Sequence, residues 1–313
     1  MTTEPGDSAG PRARRIRVLW NANAGSKGGI PTNSASAQLL RDLMRDHGLG
    51  DELVPTSSED NARTAVQDAI RGGYDVVVAA GGDGSAGLIA DELIGTEVAL
   101  GILPLGSVMN VARSLGVPRD LAGAADVLAG GVVRTVDVGL VGERHFYEAG
   151  SVGMNAAIFR EAQRFDARDW GSILRTVWVA LRYRPARMEL RLDEGVVRTR
   201  ALMVTISNGP YTGVAMMVAP DARLDDGLFD VTVFRGFSKW EPIRHLVGIA
   251  FARRRYSPHV SAYRSSRVRA TSAHPLPCRA DSHDLGTTPV EFVVQPRALR
   301  VVVPAPRAPT EVS

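Results

Sequence analysis

Residues 75–94 read as one strand, loop and helix, and this unit limits what the rest of the chain can be. Asp75-Val76-Val77-Val78-Ala79-Ala80 is a short, nearly continuous apolar run with consecutive β-branched residues, which predicts a buried parallel strand. Gly81-Gly82-Asp83-Gly84-Ser85 follows. Then comes Ala86 to Ile94, with Leu88, Ile89 and Leu93 on one helical face. A glycine-rich turn between a strand and a helix lets a ligand approach the backbone closely. The unpaired N–H groups at a helix start favour an anion, most usefully a phosphate. Ser85 is placed to cap that helix and to donate to the ligand. Asp83 is the odd member, since a carboxylate in an anion site needs a reason. A Mg²⁺ ion riding on the phosphates would supply one.

Other glycine loops fit less well. Gly82 to Gly87 formally satisfies G-x-G-x-x-G, but a dinucleotide site needs an acidic residue at the end of the next strand. That strand, Val98 to Leu103, ends in Pro104-Leu105-Gly106-Ser107, with no carboxylate. No Gly-Lys-Ser/Thr follows, which excludes a Walker loop. The plain alternative is a turn with no ligand. Against it, loops after strands in open α/β sheets are the usual ligand crevice.

The 313 residues are enough for two domains with their own cores. Net charge is +3, which by itself does not point to nucleic acid. The single cysteine, Cys278, precludes an internal disulfide. The first ten residues lack the apolar core of a signal peptide, and no apolar stretch is long enough to span a bilayer. The expectation is a cytoplasmic protein whose membrane contact is peripheral.

Residues 1–14 read as a disordered tail. Arg15 to Trp20 is the first strand, ending at the small and polar loop Asn21-Ala22-Asn23-Ala24-Gly25. Helices are expected over 34–47 and 60–72, with a strand at 51–56 between them. Shorter helices follow Ser107 and run from Leu121 to Leu128. This alternation predicts an open parallel α/β domain over 15–132.

Beyond it the pattern changes to valine-rich strands with short turns, the signature of an antiparallel sandwich over 133–295. Strands are expected at 132–141, 145–153, 188–192, 196–207, 228–234, 260–270 and 290–294. A helical insert over 156–184 places Arg164, Arg168, Arg175, Arg182 and Arg184 near Phe159, Phe165, Trp170, Trp178 and Tyr183. A second basic-aromatic cluster is Phe251 to Tyr256. Such stretches suit an anionic membrane surface, or else a solvated helix face over core aromatics. Residues 296–313 read as a segment returning towards the first domain and ending in a loose, proline-rich tail.

Five stretches together resemble the diacylglycerol kinase catalytic-domain family, shared by bacterial lipid kinases and by sphingosine and ceramide kinases. They are Asn21 to Gly25; Gly81 to Ser85; Pro104 to Ser107 with Asn110, Ala112-Arg113 and Leu115-Gly116; Ala219-Pro220 through Leu224-Asp225-Asp226-Gly227-Leu228-Phe229-Asp230; and Asp281 with Pro289 to Phe292 and Pro296, Ala298 and Leu299. Their order holds from about residue 16 to 304. The resemblance implies an α/β domain like that of phosphofructokinases and NAD kinases, a C-terminal β-sandwich, and an active site in the cleft.

It also implies ATP and Mg²⁺ as cofactors and a lipid hydroxyl, diacylglycerol or a related lipid, as phosphoryl acceptor. Nucleotide contacts would fall on Asn21, Ala22, Asn23, Ala24 and Gly25, on Thr56, on Gly81, Gly82, Asp83, Gly84, Ser85, Ala86 and Gly87, and on Ser107. A structural Mg²⁺ would use Asp226 with the carbonyls of Arg223 and Leu228, a stretch that otherwise reads as a turn. Partners would be a lipid at the membrane surface and no nucleic acid, with a homodimer left open.

The chain departs from the family pattern twice. Where the family carries Asp-Gly-Glu, with the Glu as proton acceptor, this chain has Asp281-Ser282-His283. Asp281 and His283 are the catalytic candidates, since a histidine can serve as base near neutrality. Ser107-Val108-Met109-Asn110 carries its asparagine one place later than the commoner pattern. The alternatives are a catalytically weakened lipid or nucleotide-binding regulator of the same fold, and an NAD kinase.

Overall fold

The computed structural model describes residues 14–22, 26–27, 30–31, 35–163, 178–179, 182–213, 216–235 and 260–306. In the first part of the chain lie β1 (Ile16–Asn21), β2 (Ser26–Lys27), β3 (Ile30–Pro31), α1 (Ala37–Asp46), β4 (Leu53–Thr56) and α2 (Glu59–Arg71). β5 (Val76–Gly81), α3 (Asp83–Leu93), β6 (Ala99–Pro104), α4 (Asn110–Ser114) and α5 (Leu121–Gly130) follow. β5 is buried along its whole length and pairs in parallel with β1 and β6, so apolar residues are required on both of its faces. Ser36, Ser58 and Asp120 cap α1, α2 and α5 through their side chains. The loop Asn23 to Gly25, the tail 1–13 and the second basic-aromatic cluster lie outside the described residues, as does most of the expected helical insert.

The second part begins with β7 (Val132–Val141), β8 (Arg144–Phe146), β9 (Ala149–Gly153) and α6 (Met154–Gln163). It continues with β10 (Ala186–Leu192), β11 (Gly195–Ala201), β12 (Met203–Ser207), β13 (Tyr211–Thr212), β14 (Met216–Met217) and β15 (Phe229–Phe234). The last strands are β16 (Val260–Ser265), β17 (Arg267–Ser272), β18 (Pro277–Ala280), β19 (His283–Thr287) and β20 (Val290–Val303).

One ten-stranded sheet runs in the order β11-β10-β17-β20-β6-β5-β1-β4, with β7 also on β20 and β8 on β7. A six-stranded sheet, β16-β15-β12-β9-β18-β19, faces its antiparallel part. Phe146, Phe229 and Phe292 fill the space between, with Phe146 stacked on Phe229 at 5.5 Å and edge-on to Phe292 at 5.8 Å. The parallel sheet and one layer of the sandwich are thus continuous. β20 joins them: its first half pairs with β17, and Val301 near its end pairs in parallel with Leu100 of β6. The strand is irregular between Gln295 and Leu299, where Arg297 has φ 52° and donates its N–H to buried Asp137 at 2.8 Å. Asp137 also accepts the Gly227 N–H at 2.7 Å, so one carboxylate ties β7 to β20 and to the Asp226 turn.

Three expected strands are each split. The stretch 260–270 breaks at Ser266, because Ser265 pairs with Phe229 in the six-stranded sheet while Arg267 pairs with Val293 in the large one. The stretch 196–207 breaks at Leu202, because Ala201 pairs within the large sheet while Met203 pairs with Phe234 in the other. The stretch 145–153 breaks at Tyr147-Glu148, whose N–H groups are taken by a side chain instead of a neighbouring strand.

Candidate functional site

The glycine loop sits where the sequence places it, at the carboxyl end of β5, and its last residues open α3. Gly82 is the N-cap and no side chain caps this helix, so Ser85 does not play the capping role expected of it. Its Oγ accepts from Asn21 Nδ2 at 3.2 Å, linking the loops after β1 and β5. Gly84 is exposed, and a Cβ built on it meets nothing within 4 Å. The start of α3 is thus open at Gly84 and without a side-chain cap, and the helix presents its positive end there. Gly106 is needed for a close approach, since a Cβ there would lie 2.8 Å from Gly82 Cα and 2.7 Å from Met109 Sδ.

Asp83 has a structural reason for its place in the loop. Its carboxylate accepts the backbone N–H of Met109 at 2.8 Å and of Val111 at 3.3 Å, capping α4 from a distance. Met109 is left-handed at φ 56° and buried, and the two N–H bonds secure that turn. Burial pushes Asp83 above the ordinary carboxylate range, against those backbone bonds. Among the other expected nucleotide contacts, Thr56 lies beside Asn21 in register, and its hydroxyl donates to the Trp20 carbonyl at 3.2 Å. Ser107 is exposed, with its carbonyl held by Arg119 at 2.8 Å. Ala86 is buried, and Gly87 faces the Tyr147 ring.

Asp281 and His283 are separated in environment although only Ser282 lies between them. His283 is exposed at the start of β19, in register with Ala280. Asp281 has a left-handed backbone at φ 45° and turns its carboxylate inwards. Oδ2 accepts the Tyr147 N–H at 2.8 Å, and Oδ1 accepts those of Glu148 at 3.0 Å and Ala149 at 3.1 Å. The Asp281 N–H in turn donates to the Ala149 carbonyl at 3.0 Å.

This grip holds Glu148, which the sequence reading passed over. Its Oε2 accepts from Asn110 Nδ2 at 2.7 Å, while the same amide donates to the Gly213 carbonyl at 2.8 Å. The Glu148 carbonyl accepts the Asn208 N–H at 2.9 Å. Asn110 is 1% exposed, and its Oδ1 is buried with no hydrogen-bond partner. Burial, and then the Asp281 charge, push Glu148 up to about 8. Burial raises Asp281 as well. Of this pair Asp281 has three N–H donors aimed at it, which favour its charged form against that burial. Next door, the Tyr147 hydroxyl donates to Asp91 of α3 at 2.5 Å, which binds the sandwich to the glycine-loop helix. A signal for Glu148 was present: a carboxylate between Phe146-Tyr147 and Ala149-Gly150 is a charge in an apolar run.

The expected metal set is differently engaged. Asp226 Oδ2 pairs with Arg264, and Oδ1 accepts the Leu228 N–H at 3.1 Å. Asp225 pairs with Arg134 and, at 3.4 Å, with Arg223. No group of three or more His, Cys, Asp or Glu residues gathers to hold a metal among the described residues. With a guanidinium on its one carboxylate, the set does not fit a divalent cation as it stands.

Comparison with known proteins agrees with this architecture. The diacylglycerol kinase catalytic domain matches residues 15–141, and the YegS C-terminal NAD kinase beta sandwich-like domain matches residues 149–303. The diacylglycerol kinase of Bacillus subtilis (strain 168) is 25% identical over 309 residues, covering 94% of this chain and 98% of that protein. "Probable lipid kinase YegS-like" of Klebsiella pneumoniae (strain 342) is 27% identical over 268 residues, covering 84% and 89%. A diacylglycerol kinase structure from Bacillus anthracis str. Sterne superposes with a TM-score of 0.71 at 16% identity, over 94% of this chain and 98% of that one, a likeness of fold. With both of its halves matched in order, the chain combines a diacylglycerol kinase catalytic domain with a YegS C-terminal NAD kinase beta sandwich-like domain.

Proposed function

We propose that this protein is an ATP-dependent lipid kinase whose acceptor is the hydroxyl of diacylglycerol or a related lipid. The observation that carries the reading is the open, uncapped N-terminus of α3, linked through Asp83 and Asn110 to the Glu148 carboxylate of the second domain. The backbone N–H groups of Asp83, Gly84 and Ser85 suit phosphate oxygens, and Asn21 and Ser85 bring the neighbouring loop to the same place. When bound, ATP as its Mg²⁺ complex supplies the phosphoryl group and neutralises its charge. The protein's part is to position the two substrates and to exclude water between them.

No described helix is long and apolar enough to cross a membrane. We assign lipid access to peripheral contact. In support, Trp178 is 54% exposed with the Arg182 guanidinium 4.6 Å from its ring centroid, an arrangement suited to a headgroup interface.

The test is incubation with labelled ATP, Mg²⁺ and vesicles carrying diacylglycerol, a sphingoid base or phosphatidylglycerol. Label in the lipid fraction is the expected result. Label on NAD and none on any lipid would overturn the reading.

A further inference from the structure

We propose that Glu148 is the catalytic base, taking the proton of the acceptor hydroxyl through Oε1, with Asn110 and Asp281 as positioning residues. The proposal rests on the lipid-kinase reading above and names the group that performs its proton transfer.

Several independent observations meet at this side chain. Its Oε2 is fixed by Asn110, and Oε1 has no partner among the described residues. Asn110 lies between the two N–H groups that Asp83 accepts, so the Glu148 carboxylate is one side chain away from the glycine loop. The backbone of Glu148 is held on both sides, by Asp281 through its N–H and by the Asn208 N–H through its carbonyl. A carboxylate fixed so firmly loses little entropy when it meets a substrate. The buried Asn110 Oδ1 is a second acceptor without a donor, and burial makes leaving it unmet costly. A hydroxyl entering beside Glu148 supplies the kind of donor that this corner lacks.

The two other candidates are engaged differently. Asp281 turns both oxygens to the backbone and spends three of its roughly four acceptor positions on N–H groups there. His283 is exposed on the hairpin strand.

In the step, the acceptor O–H bond breaks and its proton passes to Glu148 Oε1. The hydroxyl oxygen forms a bond to the γ-phosphorus of a nucleoside triphosphate. The bond from that phosphorus to the bridging oxygen breaks, and the nucleoside diphosphate leaves with the electron pair. Glu148 then returns the proton to solvent. Glu148 faces Asp281, Asp83, Arg279 and Asn110, and with two carboxylates among these it ionises late, near pH 8. The rate should therefore rise with pH up to that region.

The test compares the full chain with Glu148→Gln, Glu148→Asp and His283→Ala, using labelled ATP, Mg²⁺ and diacylglycerol vesicles across a pH series. Glu148→Gln should lower kcat by roughly 10²–10⁴-fold, the range for a lost acid or base, and leave the nucleotide KM unchanged. It should also abolish the rise in rate near pH 8, and Glu148→Asp should restore part of the rate. A Glu148→Gln enzyme within tenfold of wild type, or a limb that vanishes in His283→Ala instead, overturns the assignment while leaving the kinase reading intact. Wild-type protein that labels no lipid overturns both. Infrared titration without any lipid is a separate check on Glu148. A protonated carboxyl band titrating near pH 8 and missing in Glu148→Gln is expected, and its absence from the wild type overturns the assignment.

Discussion

The carboxylate of Asp281 accepts the backbone N–H of Glu148 at 3.0 Å, across 133 residues of sequence. The same carboxylate takes the N–H groups on either side, so one side chain shapes the whole turn between β8 and β9. Without it those donors would be buried and unpaired, or the turn would straighten into the strand that its sequence favours. Asp281 thus acts on the site through the residue it holds.

Asp281→Asn should weaken the fold and the chemistry together. The amide offers one acceptor oxygen where the carboxylate offered two, and it turns an N–H₂ group towards backbone donors. A loss of about 1–3 kcal/mol in urea denaturation is expected. Nucleotide affinity should hold, because the glycine loop makes no bond to Asp281. The pH at which the rate rises should move down, since a negative charge beside Glu148 is gone. An unmoved pH profile would show that the two carboxyls do not interact.

Asp83→Asn probes the loop carboxylate. Its bonds to Met109 and Val111 act as a helix cap, so stability should fall by about 0.5–2 kcal/mol. The Mg²⁺ concentration giving half-maximal activity should stay the same. A tenfold rise in that concentration would instead place the carboxylate on the metal.

Gly84→Ala should separate stability from binding. A Cβ at Gly84 meets nothing within 4 Å, so the fold accepts it. Alanine in the first turn of α3 should leave stability equal or raise it by up to about 1 kcal/mol. The methyl would stand where a phosphate oxygen approaches the N–H groups, so nucleotide affinity should fall at least tenfold. Calorimetric titration with ATP and thermal melts on the same samples measure both quantities, and unchanged affinity would remove the phosphate from this end of α3.

Arg264→Ala tests the acidic turn. In the wild type, Arg264 satisfies Asp226, so adding Mg²⁺ without nucleotide should not shift Tm. The variant leaves Asp226 uncompensated, with Asp230 and Asp221 close enough to feel one another. It should therefore gain a Mg²⁺-dependent rise in Tm. Wild-type protein that is stabilised by Mg²⁺ alone would show that the cation displaces the guanidinium.

The raised pKa of Glu148 also has a consequence for stability. Burial lifts it from 4.5 to about 8, so the folded chain binds this proton more tightly than the unfolded chain. Its contribution is fully present below about 4.5 and is lost as pH rises through about 8. Glu148→Gln, which cannot ionise, should gain in Tm relative to wild type as pH rises across that window. A constant difference would mean that Glu148 ionises as it does in water.

The sequence by itself determined the parts whose signals are local. Three adjacent valines before Gly81 specify a strand buried on both faces, and the change from helical to alternating periodicity near residue 132 marks the start of β7, whose Val136 and Val138 still belong to the α/β core while Val141 belongs to that of the sandwich. The glycines after those valines likewise place the turn from β5 into α3. Only the tertiary structure decided what the polar groups do. Asp83 is a cap for a helix 28 residues away, Asn110 reaches Glu148 across 38, and the strand read at 145–153 breaks because a distant aspartate takes its N–H groups. Periodicity records which face of an element is apolar. A buried carboxylate's role depends on which donors and charges surround it, and those come from remote segments that only folding brings together.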